Sequence, residues 1–257
     1  MSDLKQTDAP TSDLGPPPAG PAATPTSYVR EPDGIHPPLD SPEYRSSSYR
    51  HPKQPLLYLP QDITEITGPR FGADRVADSD HDLTRQHAGQ PIGERIIVSG
   101  RVIDSDGRPL ADTLVEVWQA NSAGRYLHRR DNWDAPLDPN FSGAGRCLTD
   151  DRGRFRFVTI KPGPYPWGNH YNAWRPAHIH FSLLGRAFTQ RLVTQMYFPG
   201  DPLFAYDPIF GSVRDAAARE RMIATFSITD TVPSWAQAYH WDIVLRGPGA
   251  TPFEEAL

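Results

Sequence analysis

The sequence predicts an all-β protein whose core is a β-sandwich or partly closed barrel, with long site loops, one short helix and an extended N-terminal arm. Short stretches of alternating apolar and polar residues recur from residue 92 onwards, and turns that contain glycine or proline separate them. Only residues 213–224 have the composition and spacing of a helix. The 257 residues are enough for one large all-β domain or two small ones.

Composition divides the chain into three segments. Residues 1–30 are rich in Pro and Ala and poor in apolar side chains, so they are predicted to be disordered. Residues 31–90 remain rich in Pro but contain aromatic and aliphatic residues, which predicts an extended arm packed on its own domain or on a partner. Within this arm, residues 78–86 are expected to form one or two helical turns. Residues 91–257 are predicted to form the β-sandwich domain.

The first strands of the domain follow one another at short spacing. Residues 95–103 alternate in polarity, an Asp-Gly turn follows, and residues 113–119 form the second strand. Residues 145–149 and 154–160 predict a hairpin around an Asp-Asp-Arg-Gly turn. Later strands are predicted at residues 191–198, 226–228 and 239–245.

Two connections carry more aromatic residues than simple linkers need. Residues 121–146 show no period, yet they include Tyr126, Trp133 and Phe141. Connections of this length in a compact domain are usually functional, so this segment is predicted to be a site loop. Residues 161–167 contain three prolines, which exclude a helix or a central strand and predict a stiff irregular loop.

Charge and cysteine content exclude several classes of protein. A net charge of -5 and a pI near 6.0, without a basic block, argue against a nucleic-acid partner. There is no apolar run of membrane-spanning length and no secretory signal pattern, so a soluble, cytoplasmic protein is expected. The single cysteine, Cys147, excludes an internal disulfide framework and is expected to be a small buried side chain.

A His-x-His pair gives the first indication of a metal site. Positions two apart share one face of a strand, so His178 and His180 are predicted to point the same way, with Ile179 buried behind them. Pro176 is placed at the entrance of that strand, where it removes no ladder hydrogen bond. Two imidazoles on one strand form half of a coordination shell. Two histidines that are merely hydrogen-bonded in a polar cleft would give the same pattern.

Two tyrosines add a second possible pair of ligands. Tyr126 lies in the long loop and Tyr165 lies between two prolines. A phenol is a poor ligand while protonated, but a trivalent cation can deprotonate it, and phenolate is a hard donor suited to Fe(III). Taken singly, each tyrosine could instead be a half-buried aromatic whose hydroxyl bonds a backbone carbonyl.

Several uncommon strings, in one order, carry a resemblance to a known family. They lie at residues 98–102, 115–121, 161–167 and 175–180. Together with the order of the two tyrosines and two histidines, they make the chain resemble the intradiol ring-cleavage dioxygenases over roughly residues 90–250. Within that family the chain looks most like the iron-bearing β kind of subunit.

The resemblance implies one Fe(III) per chain. Its ligands would be Tyr126, Tyr165, His178 and His180. Tyr165 and His180 would be the axial ligands, and Tyr126 and His178 the equatorial ones. Tyr165 would leave the iron when substrate binds and would accept a proton.

The resemblance also implies a substrate and its contacts. The substrate would be protocatechuate, cleaved with O2 to 3-carboxy-cis,cis-muconate without an external reductant. Arg175 would place a fixed positive charge near the negative charge that develops on the ring. The matching cleft positions are Tyr44, Trp167, Gln195 and Ile209. Gly168 departs from the pattern, because β subunits carry arginine there, and this bears on how a substrate carboxylate is held.

The implied partner is a homologous α subunit, which lacks the ligands and assembles with the β subunit into a higher αβ oligomer. Three alternatives stay open from the sequence. The first is intradiol cleavage of another catechol or of hydroxyquinol. The second is a cupin-like Fe(II) or Zn(II) enzyme that uses His-x-His and a carboxylate. The third is a β-sandwich binding module without enzymatic activity.

Overall fold

The computed structural model describes residues 31–54, 75–168, 170, 173–185 and 191–254, and these residues are mostly β-sheet. The predicted disorder of residues 1–30 lies outside the described residues, as does the part of the arm at 55–74. The strands are β1 (Arg95–Ile103), β2 (Leu114–Trp118), β3 (Ala144–Leu148), β4 (Arg154–Ile160), β5 (Tyr165–Trp167), β6 (Ala173–Arg175), β7 (His178–Leu184), β8 (Leu192–Tyr197), β9 (Thr225–Val232), β10 (Ala236–His240) and β11 (Ile243–Val244). The α-helices are α1 (Ser47–Arg50), α2 (Pro208–Ser212) and α3 (Ala216–Glu220), and a 3₁₀-helix spans Pro202–Tyr206.

The strands form two main sheets and a small ribbon. In the first sheet, β1 pairs antiparallel with β4 and parallel with β10 and β11, while β9 pairs with β10. The second sheet has the order β3-β2-β7-β8 and is antiparallel throughout. Strands β5 and β6 pair only with each other in the described part of the chain. Neither sheet closes on itself among these strands, so the core is a sandwich rather than a barrel.

The core lies between the two sheets, and β7 shows how alternation builds it. Ile179, Phe181 and Leu183 share one face of β7 and are almost fully buried. The Phe181 ring meets Phe155 of the opposite sheet at 5.7 Å and Trp241 at 5.0 Å, both in edge-on geometry. The other face of β7 carries the two histidines. One strand therefore supplies both the centre of the core and the predicted ligands.

The predicted strands at 95–103, 113–119 and 191–198 are confirmed to within one residue at each end. The predicted strand at 239–245 is wrong, because β10 ends at His240 and β11 begins at Ile243. At the break, the Asp242 carboxylate accepts the backbone N–H of Arg101 at 2.9 Å. A side chain thus takes the place of a backbone carbonyl in the ladder of β1.

The predicted hairpin at 145–160 is also wrong, although its turn is present. Asp150 N–H donates to the Arg154 carbonyl, and Gly153 adopts a φ of +70°, as in a tight reversal. Beyond the turn the two strands separate, because β3 pairs with β2 and β4 pairs with β1. The turn joins the two layers of the sandwich.

The predicted helix at 213–224 is present only in part, as the five-residue helix α3, and another five-residue helix, α2, ends just before the predicted range. Asp207 and Asp215 each accept a backbone N–H at a helix start, and Pro208 occupies the first helical position of α2. Val213 between the helices is extended, with ψ at 108°. The described residues thus contain three short α-helices, of which only α3 lies in the predicted range, and none of the three is long and apolar enough to cross a membrane.

The described parts of the arm lie against the domain. Ile35 is buried with Tyr197, and the Gly34 carbonyl accepts the N–H of Asp215 at 3.0 Å. Residues 78–86 form turns rather than the expected helical turns, since Asp82 bridges to Val158 of β4. Residues 161–164 are irregular, as predicted, but the segment ends in the short strand β5.

Cys147 packs against the core in a partly buried position. Burial raises the pKa of its thiol to about 12. The thiol is therefore neutral at ordinary pH and a poor nucleophile.

Candidate metal centre

The two histidines occupy the middle of the second sheet. His178 and His180 are 2% and 7% exposed, and their ring centroids lie 4.9 Å apart on the same face of β7. Their cross-strand neighbours follow from the register: Tyr197 of β8 is opposite His178, and Trp118 of β2 is opposite His180. The Trp118 ring stacks on the His180 ring at 4.8 Å and 5°. Each imidazole thus has an aromatic residue of a neighbouring strand beside it.

The outer nitrogen of each imidazole is hydrogen-bonded away from the site. Nδ1 of His178 lies 2.7 Å from the carbonyl oxygen of Pro176, and Nδ1 of His180 lies 2.9 Å from Oε2 of Glu254. Each partner is an acceptor, so Nδ1 carries the proton and Nε2 keeps a lone pair. The two Nε2 atoms face the two tyrosine hydroxyls.

Tyr165 reaches the site from the β5–β6 ribbon. The register pairs Tyr165 with Arg175, so the ribbon delivers a phenol and a guanidinium next to each other. The prolines on both sides of Tyr165 keep this segment extended, and the ribbon ends just before β7.

Tyr126 reaches the site from the long loop, which Asp131 folds back on itself. The Asp131 carboxylate accepts the backbone N–H groups of Tyr126 at 2.8 Å and Trp133 at 2.9 Å. Its backbone carbonyl accepts a bond from the Arg125 guanidinium at 2.8 Å. These contacts give the loop a defined shape although it has no strand or helix of its own.

The loops that carry the two tyrosines touch each other. Gly124 adopts a φ of +77°, and a Cβ atom there would lie 2.3 Å from the carbonyl oxygen of Pro164. Gly163 N–H also donates to the Asn121 carbonyl at 2.9 Å. Only glycine allows so close an approach with this backbone conformation. The contact fixes the distance between the two phenols.

Four donor atoms converge at the resulting centre. Oη of Tyr126 lies 3.1 Å from Nε2 of His180, and Oη of Tyr165 lies 3.4 Å from Nε2 of His178. The two tyrosine rings meet edge-on at 5.5 Å. Donors that share one transition metal at bonds of about 2.0–2.1 Å are separated by about 3 Å from their neighbours. The spacing and the N and O donor set therefore fit a single metal ion.

The charge states of these groups bear on which ion fits. The rings reach a cavity, but their hydroxyl groups are buried, and burial raises the pKa of Tyr126 and of Tyr165 above the ordinary value. Burial, followed by the positive charge of Arg175, lowers the pKa of His178 well below its ordinary value, so its ring is neutral. The neutral imidazole of His178 and two phenols with raised pKa values suit a highly charged cation, which can offset the cost of forming phenolates.

Arg175 is buried and belongs to a polar network. Its Nε lies 3.0 Å from Oδ1 of Asp207, and the two side chains are 2% and 0% exposed. Its Nη2 donates to Oε1 of Gln195 and lies 3.3 Å from the Tyr197 hydroxyl. The Trp167 ring lies 5.5 Å from the guanidinium carbon. This is a fixed internal charge rather than a surface one.

A cavity of about 1000 Å³ opens on the tyrosine side of the centre. Its walls include Trp118, Tyr126, Trp133, Tyr165, Trp167 and His180. A flat aromatic ligand could lie among these rings and approach the centre from the side of Tyr126, Tyr165 and His180, whereas His178 is buried behind them.

The four predicted substrate positions are placed differently from one another. Trp167 lines the cavity, and the Tyr44 ring packs on Trp167 at 5.0 Å while lining a second cavity of about 330 Å³. Gln195 and Ile209 are buried, and neither is part of the wall of the larger cavity. Gly168 lines the larger cavity, and the space around a Cβ atom there is open among the described residues.

Sequence reasoning missed four residues around the centre. They are Trp118, Tyr197, Asp207 and Glu254. Trp118 and Tyr197 follow from the strand register, which the sequence does not give. Glu254 is 74 positions from His180, and no local pattern connects the two.

The Glu254 carboxylate is charged in this setting. Burial alone would raise its pKa, but the neighbouring His180 and Arg175 hold the pKa of Glu254 below the ordinary value. It lies behind His180, on the side away from the four donor atoms.

Comparisons with known proteins give consistent results. A family model described as dioxygenase matches residues 66–247, and one described as the N-terminal region of the protocatechuate 3,4-dioxygenase beta subunit matches residues 28–62. The chain is 58% identical over 233 residues to the protocatechuate 3,4-dioxygenase beta chain of Burkholderia cepacia, which covers 90% of this chain and 97% of that one.

Two further likenesses are more distant. The chain is 29% identical over 208 residues to the protocatechuate 3,4-dioxygenase alpha chain of Pseudomonas putida, covering 77% of this chain and 98% of that one. The crystal structure of 3-chlorocatechol 1,2-dioxygenase from Rhodococcus opacus 1CP superposes with a TM-score of 0.51 at 25% identity, covering 67% of this chain and 66% of that one.

Proposed function

The chain belongs to the intradiol ring-cleavage dioxygenase family, and from this premise we propose that it is an iron-dependent β subunit that cleaves protocatechuate with O2. The product of cleavage between the two hydroxyl-bearing carbons is 3-carboxy-cis,cis-muconate. The observation that carries the proposal is the convergence of two phenols and two imidazoles beside an aromatic-walled cavity, which Tyr126, Tyr165 and His180 line.

The proposed ligands of one Fe(III) are Tyr126, Tyr165, His178 and His180. Bound there, Fe(III) supplies a Lewis-acidic centre that favours deprotonation of a catechol and makes its ring reactive toward O2. The protein holds both imidazoles in the tautomer that leaves Nε2 free, through the contacts of Nδ1 with Pro176 and Glu254.

We assign Tyr165 as the phenol that gives way to the substrate. Oη of Tyr165 lies 3.4 Å from Nε2 of His178, a longer contact than the 3.1 Å between Oη of Tyr126 and Nε2 of His180, and the loop of Tyr126 is also held by Asp131. Oη of Tyr165 is placed to accept a proton from an incoming catechol hydroxyl, and Tyr126 stays in place. Trp167, beside Tyr165, forms a flat wall for the aromatic ring.

Arg175 is assigned the role of a fixed positive charge beside the reacting ring. It cannot turn away from the site, because Asp207, Gln195 and Tyr197 hold its guanidinium. A group ordered in advance stabilises developing negative charge without the cost of reorganisation. Gln195 then acts through Arg175 rather than by contact with the substrate.

The assembly is proposed to contain a homologous α subunit. The support is the match of residues 28–62 to the N-terminal region of a β subunit, together with the likeness to an α chain over 77% of this chain. The number of αβ pairs is left to experiment.

The alternatives are less favoured. A cupin-like site needs a carboxylate ligand, but Glu254 lies against Nδ1 of His180 instead of beside the free Nε2. In the described ranges no cluster of three His, Cys, Asp or Glu side chains could hold a metal. A binding module without activity does not account for four converging donors. Hydroxyquinol and catechol remain as competing substrates for the same chemistry.

The test is a comparison of substrates on the purified protein. O2 uptake is measured with protocatechuate, catechol and hydroxyquinol, together with iron content and the visible spectrum. We expect about one iron per chain, visible tyrosinate absorption and turnover with protocatechuate first among the three. His178→Ala serves as the control without iron. Colourless protein that is active, or activity confined to catechol or hydroxyquinol, would overturn the proposal.

A further inference from the structure

The hydrogen bond between Glu254 and His180 differs from the matching contact of His178 in the charge of its acceptor. Oε2 of Glu254 lies 2.9 Å from Nδ1 of His180, whereas the corresponding nitrogen of His178 meets a neutral backbone carbonyl. The two imidazoles are thus oriented by acceptors of different charge. A carboxylate is the stronger acceptor for an imidazole N–H.

The segment that carries Glu254 is pinned on both sides. The backbone N–H of Glu254 donates to the Val193 carbonyl of β8 at 2.8 Å. Thr251 exchanges two hydrogen bonds with Val244 of β11, at 2.8 and 3.0 Å, and is 1% exposed. Because hydrogen bonds to two strands hold this segment, we expect the Glu254 side chain to keep its position whether or not the metal site is occupied.

The same side chain also faces the arm. Glu254 lines the smaller cavity together with arm residues that include Tyr44 and Ser47. The neighbouring Phe253 N–H lies 3.3 Å from Nδ1 of His36, and the two rings meet at 4.6 Å. Residues before the domain and residues at its far end therefore close over the back of His180.

From this geometry we infer that Glu254 is a positioning residue for the metal, which fixes the Nδ1–H tautomer of His180 and so aims its Nε2 at the centre. The inference rests on the proposed iron site. Glu254 lies on the side of the imidazole away from the donor atoms and is not part of the wall of the larger cavity, so it reaches the centre through His180. Removing such a partner typically weakens metal binding about 10–100-fold.

Two substitutions test the inference on the full chain. Glu254→Ala removes the acceptor, and Glu254→Gln keeps an acceptor oxygen without the charge. Glu220→Ala is the matched control, because Glu220 is exposed on α3. Iron retention is measured by metal analysis after dialysis against a chelator, and the tautomer of His180 is read by ¹⁵N NMR on the metal-free protein.

We expect Glu254→Ala to bind iron about 10–100-fold more weakly than the wild type and the Glu220→Ala control, with Glu254→Gln losing less. The His180 ring in the Ala variant should leave the pure Nδ1–H form. Unchanged iron retention would overturn the inference. So would lost iron with an unchanged tautomer, because Glu254 would then support the fold instead of the imidazole. If the wild type itself binds no iron, the proposed function fails, while the tautomer measurement still judges the role of Glu254.

Discussion

Replacing Arg175 separates its electrostatic role from its structural one, because its buried partner can be replaced as well. Arg175 and Asp207 form an ion pair at 3.0 Å with almost no solvent contact. Removing one partner of a buried pair typically costs about 3–5 kcal/mol, since the other charge is left without compensation. We therefore expect Arg175→Met and Asp207→Asn each to lower the free energy of unfolding by about that amount.

The double variant Arg175→Met/Asp207→Asn removes both charges together. Replacement of a buried pair by neutral groups of similar size is often close to neutral, so its stability loss should be smaller than the sum of the single losses by about 0.5–3 kcal/mol. Its catalytic rate should not recover. Without the guanidinium, both Arg175→Met and the double variant should be slowed about 10²–10³-fold, which is the usual effect of removing one preorganised charge.

The measurements are urea unfolding of the metal-free chains and O2 uptake by the iron-loaded ones. Iron content is checked for each variant, so that lost activity is not mistaken for lost metal. Recovery of activity in the double variant, in parallel with its stability, would refute the reasoning. Arg175 would then serve the fold of the site and not the reaction.

Three other predictions concern different parts of the molecule. Tyr165→Phe leaves three donor groups and should retain iron while slowing turnover about 10²–10⁴-fold, as expected when a proton acceptor is lost; loss of iron in the metal analysis would contradict this assignment. Gly124→Ala should lower the unfolding free energy by about 1–3 kcal/mol and reduce the iron content, because its Cβ would strike the Pro164 carbonyl. Gly211→Ala, which has open space among the described residues, is the control, and equal urea midpoints for the two would be the contrary result. The hydrogen bond from Arg146 of β3 lowers the pKa of Asp80 below its ordinary value, so this ion pair stabilises the fold at neutral pH. Asp80→Asn should therefore cost about 0.2–1 kcal/mol near pH 7, and this difference should disappear as the pH falls below about 4; a difference that persists in acid would argue against the ion pair.

The sequence predicts local structure well where one face of a strand is buried, because apolar residues then recur at every second position. The alternation of β1 follows directly from its position in the sandwich, and the shared face of His178 and His180 follows from strand geometry. The turn around Gly153 is likewise a local property. A turn does not determine whether its two strands pair with each other, since the ladder is set by distant partners. That is why the hairpin was predicted where two layers are in fact joined.

The remainder of the site depends on contacts between distant residues. Trp118 reaches His180 through the register of β2 on β7, and Glu254 reaches it from the far end of the domain. The alternation of apolar and polar residues does not show how β2 is aligned with β7 or where the segment of Glu254 lies. The helix at 213–224 failed for another reason: Asp215 caps a new helix, and its side chain competes locally with a continuous one.

The placement of the core and the proposed ligands on opposite faces of β7 has a consequence for engineering this enzyme. Ile179 lies between the two histidines in β7, and Phe181 directly follows His180 and packs on Phe155 across the sandwich, so a change in the volume of either side chain would shift the neighbouring imidazoles. Libraries that vary β7 would therefore lose metallated protein before they altered selectivity. Leu127, His128, Arg130 and Gly168 line the cavity without supplying the core, and diversity introduced there can reshape the pocket while Asp131, which holds the loop of Tyr126, stays unchanged. The absorbance of the iron–tyrosinate chromophore would then serve as a rapid screen for members of such a library that still assemble the centre.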